Sequence, residues 1–193
     1  DKQILILDKD GKNSNDKNWS FWEKGTGKWD SIVSKSWKKG RFINQKTSLE
    51  LTLEPYRYKT IRAIDFYRHA REQLAQANNV HWITEEVSEL ISGQKITIKT
   101  NNQEHIASEV LDSRISAEYF SQQDSYIRLL QHFKGWFIKV DEPTFDDSSF
   151  TMMDYRLKLG DSTSFTYVLP LSPSEALIEF TLFTQETIEN SLY

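Results

Sequence analysis

Three observations predict an α/β fold in two parts. Ile4-Leu-Ile-Leu7 is a continuous apolar run that closes on Asp8, the mark of a strand buried on both faces. From Thr60 the apolar spacing switches to three or four residues, which is helical. After Leu129, strand-like segments follow one another with no helix between them, which predicts an antiparallel sheet. Residues 1–115 therefore read as a βαβ unit plus a β-meander, and residues 116–193 as a second, antiparallel-sheet domain.

Asp8 ends the first strand, and the polar stretch Lys9-Asp-Gly-Lys-Asn-Ser-Asn-Asp16 is a loop. Residues 17–45 hold four Trp, two Phe and three Gly without clear periodicity, so they read as a long irregular excursion. Ser48–Leu53 alternates as a strand until Pro55 breaks the pattern. Ile61, Ile64, Tyr67, Ala70, Leu74 and Ala77 form one face of a helix that ends at Asn78-Asn79. Strands are expected at 80–83, 85–91, 94–100 and 109–112, and in the second half at 129–140, 151–159, 164–171 and 176–183.

Composition removes several functions. Hydrophobic residues make up 38% and charged residues 27%, an ordinary soluble composition. The net charge of −4 lacks the basic footprint of a nucleic-acid binder. With no cysteine, disulfides, zinc–thiolate sites and cysteine nucleophiles are excluded. His69, His81, His105 and His132 show no metal-ligand spacing, and no Gly-x-Ser-x-Gly elbow exists. In Asp8-Lys-Asp-Gly11 the glycine comes too early for a calcium loop. No apolar run approaches the roughly 20 residues of a spanning helix. Both ends are abrupt, and the chain reads as an internal piece of a longer protein.

Two acids stand out. A carboxylate that closes a buried parallel strand, as Asp8 does, is where Rossmann-type folds accept the hydroxyls of a ribose. Glu179 interrupts an otherwise apolar run, Ala176-Leu-Ile-Glu-Phe-Thr181. Alternation puts it on one face with Leu177 and Thr181. Such an acid is paired with a cation, exposed on a polar face, or kept protonated by its surroundings. Asp154 and Arg156, two apart on one strand, read as an ion pair or as a positioning pair.

Taken in order, Gln131-His-Phe133, Gly135-Trp136, Met153-Asp154, Tyr167-Val-Leu-Pro-Leu171 and Leu177-Ile-Glu179 resemble the flavin-dependent lycopene cyclases of carotenoid-making bacteria. Leu5-Ile-Leu-Asp-Lys9, Asn15-Asp16 and Trp19-Ser-Phe-Trp-Glu23 resemble that family's second strand and the aromatic loop after it. The chain departs from the family in lacking its glycine-rich first βα turn and its later acidic flavin motif. Ile115 also stands where some relatives have glycine. This piece alone is therefore expected to bind FAD poorly or not at all.

The resemblance implies a partial Rossmann-like FAD-binding domain followed by a substrate domain, as in flavin monooxygenase-like folds. It implies reduced FAD, with NAD(P)H as reductant, and a non-redox closure of lycopene ψ end groups to β-ionone rings. By position, Glu179 is the proton donor or controls it, with Asp154 as a second catalytic candidate. Asp8 and Lys9, and loosely Val87, are expected at the cofactor. Trp136, Tyr155, Phe165 and Tyr167 are candidates for a pocket that steadies a carbocation on aromatic faces. A bilayer-soluble polyene implies a cytoplasmic enzyme, peripheral on the inner face of the cell membrane. The segment Trp19–Trp37, with Lys24, Lys28, Lys35, Lys38, Lys39 and Arg41, suits that contact. The alternatives are a prenyl reductase or hydroxylase of the same fold, or a Trp-rich, non-enzymatic ligand-binding β domain.

Overall fold

The computed structural model describes residues 2–121 and 127–193. Its strands are β1 (Ile4–Asp8), β2 (Asn18–Lys24), β3 (Lys35–Trp37), β4 (Lys39–Ile43), β5 (Ser48–Thr52), β6 (Tyr56–Arg62), β7 (Val80–Thr84), β8 (Val87–Ile91), β9 (Ile96–Thr100), β10 (Glu104–Ala107), β11 (Leu130–Lys139), β12 (Ser149–Asp154), β13 (Thr163–Ser172) and β14 (Glu175–Thr184). One α-helix, α1 (Ala63–Leu74), lies between β6 and β7.

The chain forms two compact units that are not contiguous in sequence. One holds the described residues up to Asn18 and those from Arg62 to Ser121; the other holds Trp19–Ile61 and the described residues from Ile127 onward. The linear division at residue 115 is thus replaced by one in which residues 19–61 join the second half. The physical reason is strand pairing: β4 lies parallel to β12, with Lys39 opposite Ser149. Residues 17–45 are correspondingly not an irregular excursion, since β2, β3 and β4 lie within them.

In the first unit, β1 and β7 pair in parallel, Asp8 opposite Thr84, with α1 between them in the chain. β1 is less buried than its apolar run predicts. Ile4 and Leu5 are exposed, because β7 is the only strand hydrogen-bonded to β1 among the described residues. The helix is shorter than its apolar period, because Ile61 belongs to β6 and is buried there. Two of its first free N–H groups are met locally: Ala63 N–H donates to the Lys17 carbonyl and Ile64 N–H to Asn15 Oδ1. β8, β9 and β10 form an antiparallel meander. The strand expected at 109–112 is absent; Glu104–Ala107 pairs with β9 instead.

The second unit is built on a six-stranded sheet in the order β11-β14-β13-β12-β4-β5. The run β11-β14-β13-β12 is antiparallel, as the second-half alternation predicts. A three-stranded sheet, β2-β6-β3, supplies Trp37 and Tyr58 to the core. These pack with Phe150, Leu169 and Leu177 of the larger sheet, and Leu53, Met152, Tyr167 and Leu171 lie at the margin. The Trp37 indole N–H donates to the Pro170 carbonyl at 3.2 Å, so its buried polar atom is satisfied.

Candidate active site

Antiparallel register sets the surroundings of Glu179. On β14 it lies opposite Tyr167 of β13 and Gly135 of β11. Directly opposed residues share a face, so the Glu179 side chain has a phenol on one flank and no side chain on the other. A Cβ at Gly135 would lie 2.8 Å from Glu179 Cγ and 3.6 Å from its Cδ. The missing side chain is therefore what lets the glutamate lie across β11.

Glu179 is half-buried, and burial raises its carboxyl pKa above the ordinary value. Among the described residues no hydrogen bond or ion pair reaches this carboxyl. Of the three readings its sequence allowed, pairing with a cation is thus excluded within the described residues, and burial favours the protonated form.

On the Tyr167 side the polar atoms are joined. Tyr167 OH donates to Tyr58 OH at 2.8 Å. The Ser20 hydroxyl donates to Thr60 Oγ1 at 3.0 Å and opposes the upward pKa shift of both phenols. Burial, then the neighbouring Tyr58, push the Tyr167 phenol far above its usual range, so it stays neutral. Burial likewise raises Tyr58, against the opposing effect of Tyr167 and Ser20. An aromatic wall surrounds this pair. Tyr58 stacks on Phe150 with centroids 4.4 Å apart, and Trp22 lies 4.7 Å from Tyr58. Trp22, Leu53 and Tyr56 line an open apolar groove at its outer end.

The other expected pocket residues divide. Phe165 is buried on the Glu179 face, opposite Thr181, and Tyr155 meets it edge-on at 6.0 Å. Trp136 does not belong there. It pairs with Ile178, one residue out of phase with Glu179, so alternation carries it to the opposite face. It stands partly exposed there, with Lys134 Nζ 5.7 Å from its ring.

Asp154 is not placed with the acid either. The register shift between Thr151 and Asp154 sets it opposite Thr166, which alternates away from Tyr167. Its carboxylate is gripped by Arg156, Nε to Oδ1 at 2.9 Å and Nη2 to Oδ2 at 2.6 Å. These bonds hold its pKa below the ordinary value, so it carries no proton to give. Of the two readings for this pair, the geometry is that of a structural ion pair.

The expected cofactor residues lie in the other unit. Asp8 sits at the C-terminal end of the parallel pair, where it accepts the Asp10 N–H at 2.9 Å and has Lys12 Nζ at 3.3 Å. Lys9 reaches Glu86 at 3.5 Å, next in sequence to Val87. The Val87 carbonyl accepts Arg114 Nη1 at 2.6 Å, and Arg114 is clamped by Asp112. Structure thus brings Asp8, Lys9 and the start of β8 to one strand-end region. Tyr58, Trp22 and Phe150 were missed by sequence reasoning. The alternation in Tyr56-Arg-Tyr-Lys-Thr-Ile61 was the available signal for Tyr58.

Solved structures share this fold at low identity. A flavin-dependent brominase, Bmp2, matches with a TM-score of 0.61 and 14% identity, over 99% of this chain and 51% of its own. A geranylgeranyl bacteriochlorophyll reductase-like protein from Thermoplasma acidophilum matches with a TM-score of 0.59 and 13% identity, over 93% of this chain and 56% of its own. FqzB matches with a TM-score of 0.57 and 11% identity, over 97% and 49%. The chain therefore spans about half the length of these proteins. No curated protein sequence matches it. The family model described as lycopene cyclase protein matches residues 2–193, effectively the whole sequence, and the chain belongs to the lycopene cyclase family.

Proposed function

We propose that the full-length protein acts in carotenoid biosynthesis, closing the acyclic ψ end groups of lycopene into β-ionone rings without net redox change. One observation carries this reading: Glu179 is a half-buried carboxyl without a hydrogen-bond partner among the described residues, its pKa raised by burial, opposite a neutral phenol in an aromatic frame. The Glu179 proton adds to the terminal double bond of the polyene. The electron pair of an internal double bond then closes the six-membered ring, leaving a ring cation. A proton then leaves the ring for the Glu179 carboxylate, directly or through solvent, and its C–H electron pair forms the new double bond, so the acid is restored and the mass is unchanged. Aromatic faces beside the acid stabilise cationic charge without supplying a nucleophile, at ~0.5–2 kcal/mol each.

The family's cofactor is FAD, with NAD(P)H as its reductant. The residues present fit one end of it: the Asp8 carboxylate, at a parallel strand end, suits the adenosine ribose, with Lys9 and the start of β8 at Val87 beside it. The seven glycines of this chain form no Gly-x-Gly-x-x-Gly turn, so the phosphate contacts do not come from them. Bound reduced FAD would supply negative charge that favours a cationic transition state.

Product analysis tests the reaction. Lycopene incubated with the full-length protein, FAD and NADPH yields cyclic product of unchanged mass. Product heavier by hydrogen or by oxygen would instead establish a reductase or a hydroxylase.

The reading puts the protein at a membrane surface, on the inner face of the cell membrane, and a bilayer-soluble substrate supports it. No helix among the described residues is long and apolar enough to cross a membrane. Of the aromatic and basic segment, Trp37 is core, while Lys35 is tied to Asp147 and Arg41 to Glu50 and Asp146. Trp19, Trp22, Lys24, Lys28, Lys38 and Lys39 remain exposed. Replacing these four lysines by Gln weakens binding to anionic vesicles by about a thousandfold, at about 1 kcal/mol per residue. Unchanged vesicle flotation would remove this contact from the reading.

A further inference from the structure

The face that carries Glu179 is covered over only part of its width. Toward β13 and β12 it is closed by Trp37 and Tyr58 of the smaller sheet. Toward the edge strand β11 the described residues of this unit leave it open. The residues of β11 on this face are Phe133, Gly135 and Phe137, opposite Thr181, Glu179 and Leu177. Phe133 is 59% exposed and Phe137 61% exposed, unusual for two aromatics on one strand face. Between them the row is interrupted by Gly135. The two phenylalanines are four residues apart, about 13 Å along a strand. Between the two rings lies a notch over Gly135 whose floor is the Glu179 side chain, with Leu177 beside it.

We infer that Phe133, Gly135 and Phe137 form the subsite for the reacting end group of the polyene. This rests on the reading of Glu179 as the acid. The occupant follows from the chemistry of the gap. Its walls are apolar, and its floor carries a carboxyl with no hydrogen-bond partner among the described residues. A strand adding to the edge would pair with the β11 backbone and make no use of a notch on the sheet face. A branched hydrocarbon with a nucleophilic double bond fills the notch and meets the acid. Gly135 is a positioning residue, because its missing Cβ sets the direction of the Glu179 side chain. Phe133 and Phe137 set which end group fits.

The test is steady-state kinetics of the full-length enzyme on lycopene in detergent micelles. Phe133→Ala and Phe137→Ala each raise KM about tenfold, the scale of a lost apolar pocket contact. Both leave kcat and its pH profile in place, and Phe133→Leu recovers most of the loss. Neither ring is buried in this unit, so these variants keep the core. Gly135→Ala lowers kcat at least tenfold and moves the basic limb of the pH profile to lower pH, because the displaced carboxyl loses its burial. A purely structural role for Gly135 would leave that limb where it is. KM within twofold of the wild type for both phenylalanine variants, with Glu179→Gln inactive, overturns the subsite while leaving the acid standing. Full activity of Glu179→Gln overturns the acid and the subsite with it.

Discussion

Glu179→Gln in the full-length protein is expected to abolish the proposed ring closure while leaving the fold intact. The amide fills the same space against Gly135 and beside Tyr167, but has no proton acidic enough to add to a carbon–carbon double bond. Loss of a positioned general acid costs about 10²–10⁴-fold, and no neighbour among the described residues replaces it. Tyr167 and Tyr58 are held neutral with raised pKa values, and Asp154 is held ionised by Arg156. The measurement is cyclic product per unit time over a pH series. Wild-type activity is expected to hold while Glu179 is protonated and to fall as pH rises through its raised pKa. A Gln variant that cyclises within tenfold of the wild-type rate would show that the proton comes from elsewhere.

The same residue predicts a conflict between stability and activity. Burial raises the pKa of Glu179 in the folded state above its unfolded value. Its favourable contribution is therefore fully present below the unfolded pKa, about 4.3, and is lost as pH rises through the folded value. Gln is neutral throughout. Relative to wild type, the Gln variant gains thermal stability as the medium becomes more alkaline, at the pH values where the wild-type acid ionises.

The reason this acid was legible in sequence, and parts of its setting were not, is physical. Alternation in Ala176–Thr181 already placed Leu177, Glu179 and Thr181 together, and the register keeps them so. Alternation within one strand cannot say which residue of another strand stands opposite. Trp136 was chosen for its ring, yet Gly135 is the partner of Glu179 and Trp136 faces away. The strands in residues 17–45 were invisible for a related reason. β4 is held by Ser149–Asp154, far along the chain, and its Lys39-Gly-Arg-Phe-Ile43 has no apolar period of its own. Tyr58 was hidden in the same way, since its role depends on the Tyr167 hydroxyl. The place of Asp8 at the end of a parallel strand was readable because a strand end is a local feature.

Lys59→Ala is expected to cost about 3 kcal/mol of stability, the low end for breaking a buried ion pair, because the two carboxylates still reach solvent. Only 3% of the Lys59 side chain is exposed. All three donors of its ammonium are used, by Glu23 at 2.8 Å, the Gly25 carbonyl at 3.0 Å, and Asp30. Burial opposes the charge, but the bonds to Asp30 and Glu23 outweigh it and raise its pKa. These partners come from the end of β2 and the turn after it, so one side chain on β6 fixes that turn. Gly27 belongs to the same arrangement, since a Cβ there would meet the Glu23 carboxylate at 1.7 Å. Alanine removes the cation and leaves two carboxylates facing a void. Lys59→Met keeps the volume and lets both acids turn outward, so its loss is smaller. The sign with pH is fixed by the same groups. Lys59 contributes stability that is present below its ordinary value of 10.5 and lost above its raised folded pKa. The hydrogen bond from Lys59 lowers the pKa of Asp30, whose contribution is present above its ordinary 3.8 and lost as pH falls through the lowered value. Thermal melts of wild type and Lys59→Ala should therefore differ by a constant amount through neutral pH and converge in acid. A constant difference that persists in acid would mean that Lys59 acts by packing, with its charge contributing nothing. The turn it holds carries Lys24, Lys28 and Trp29, so the same variant loosens the surface proposed above for membrane contact.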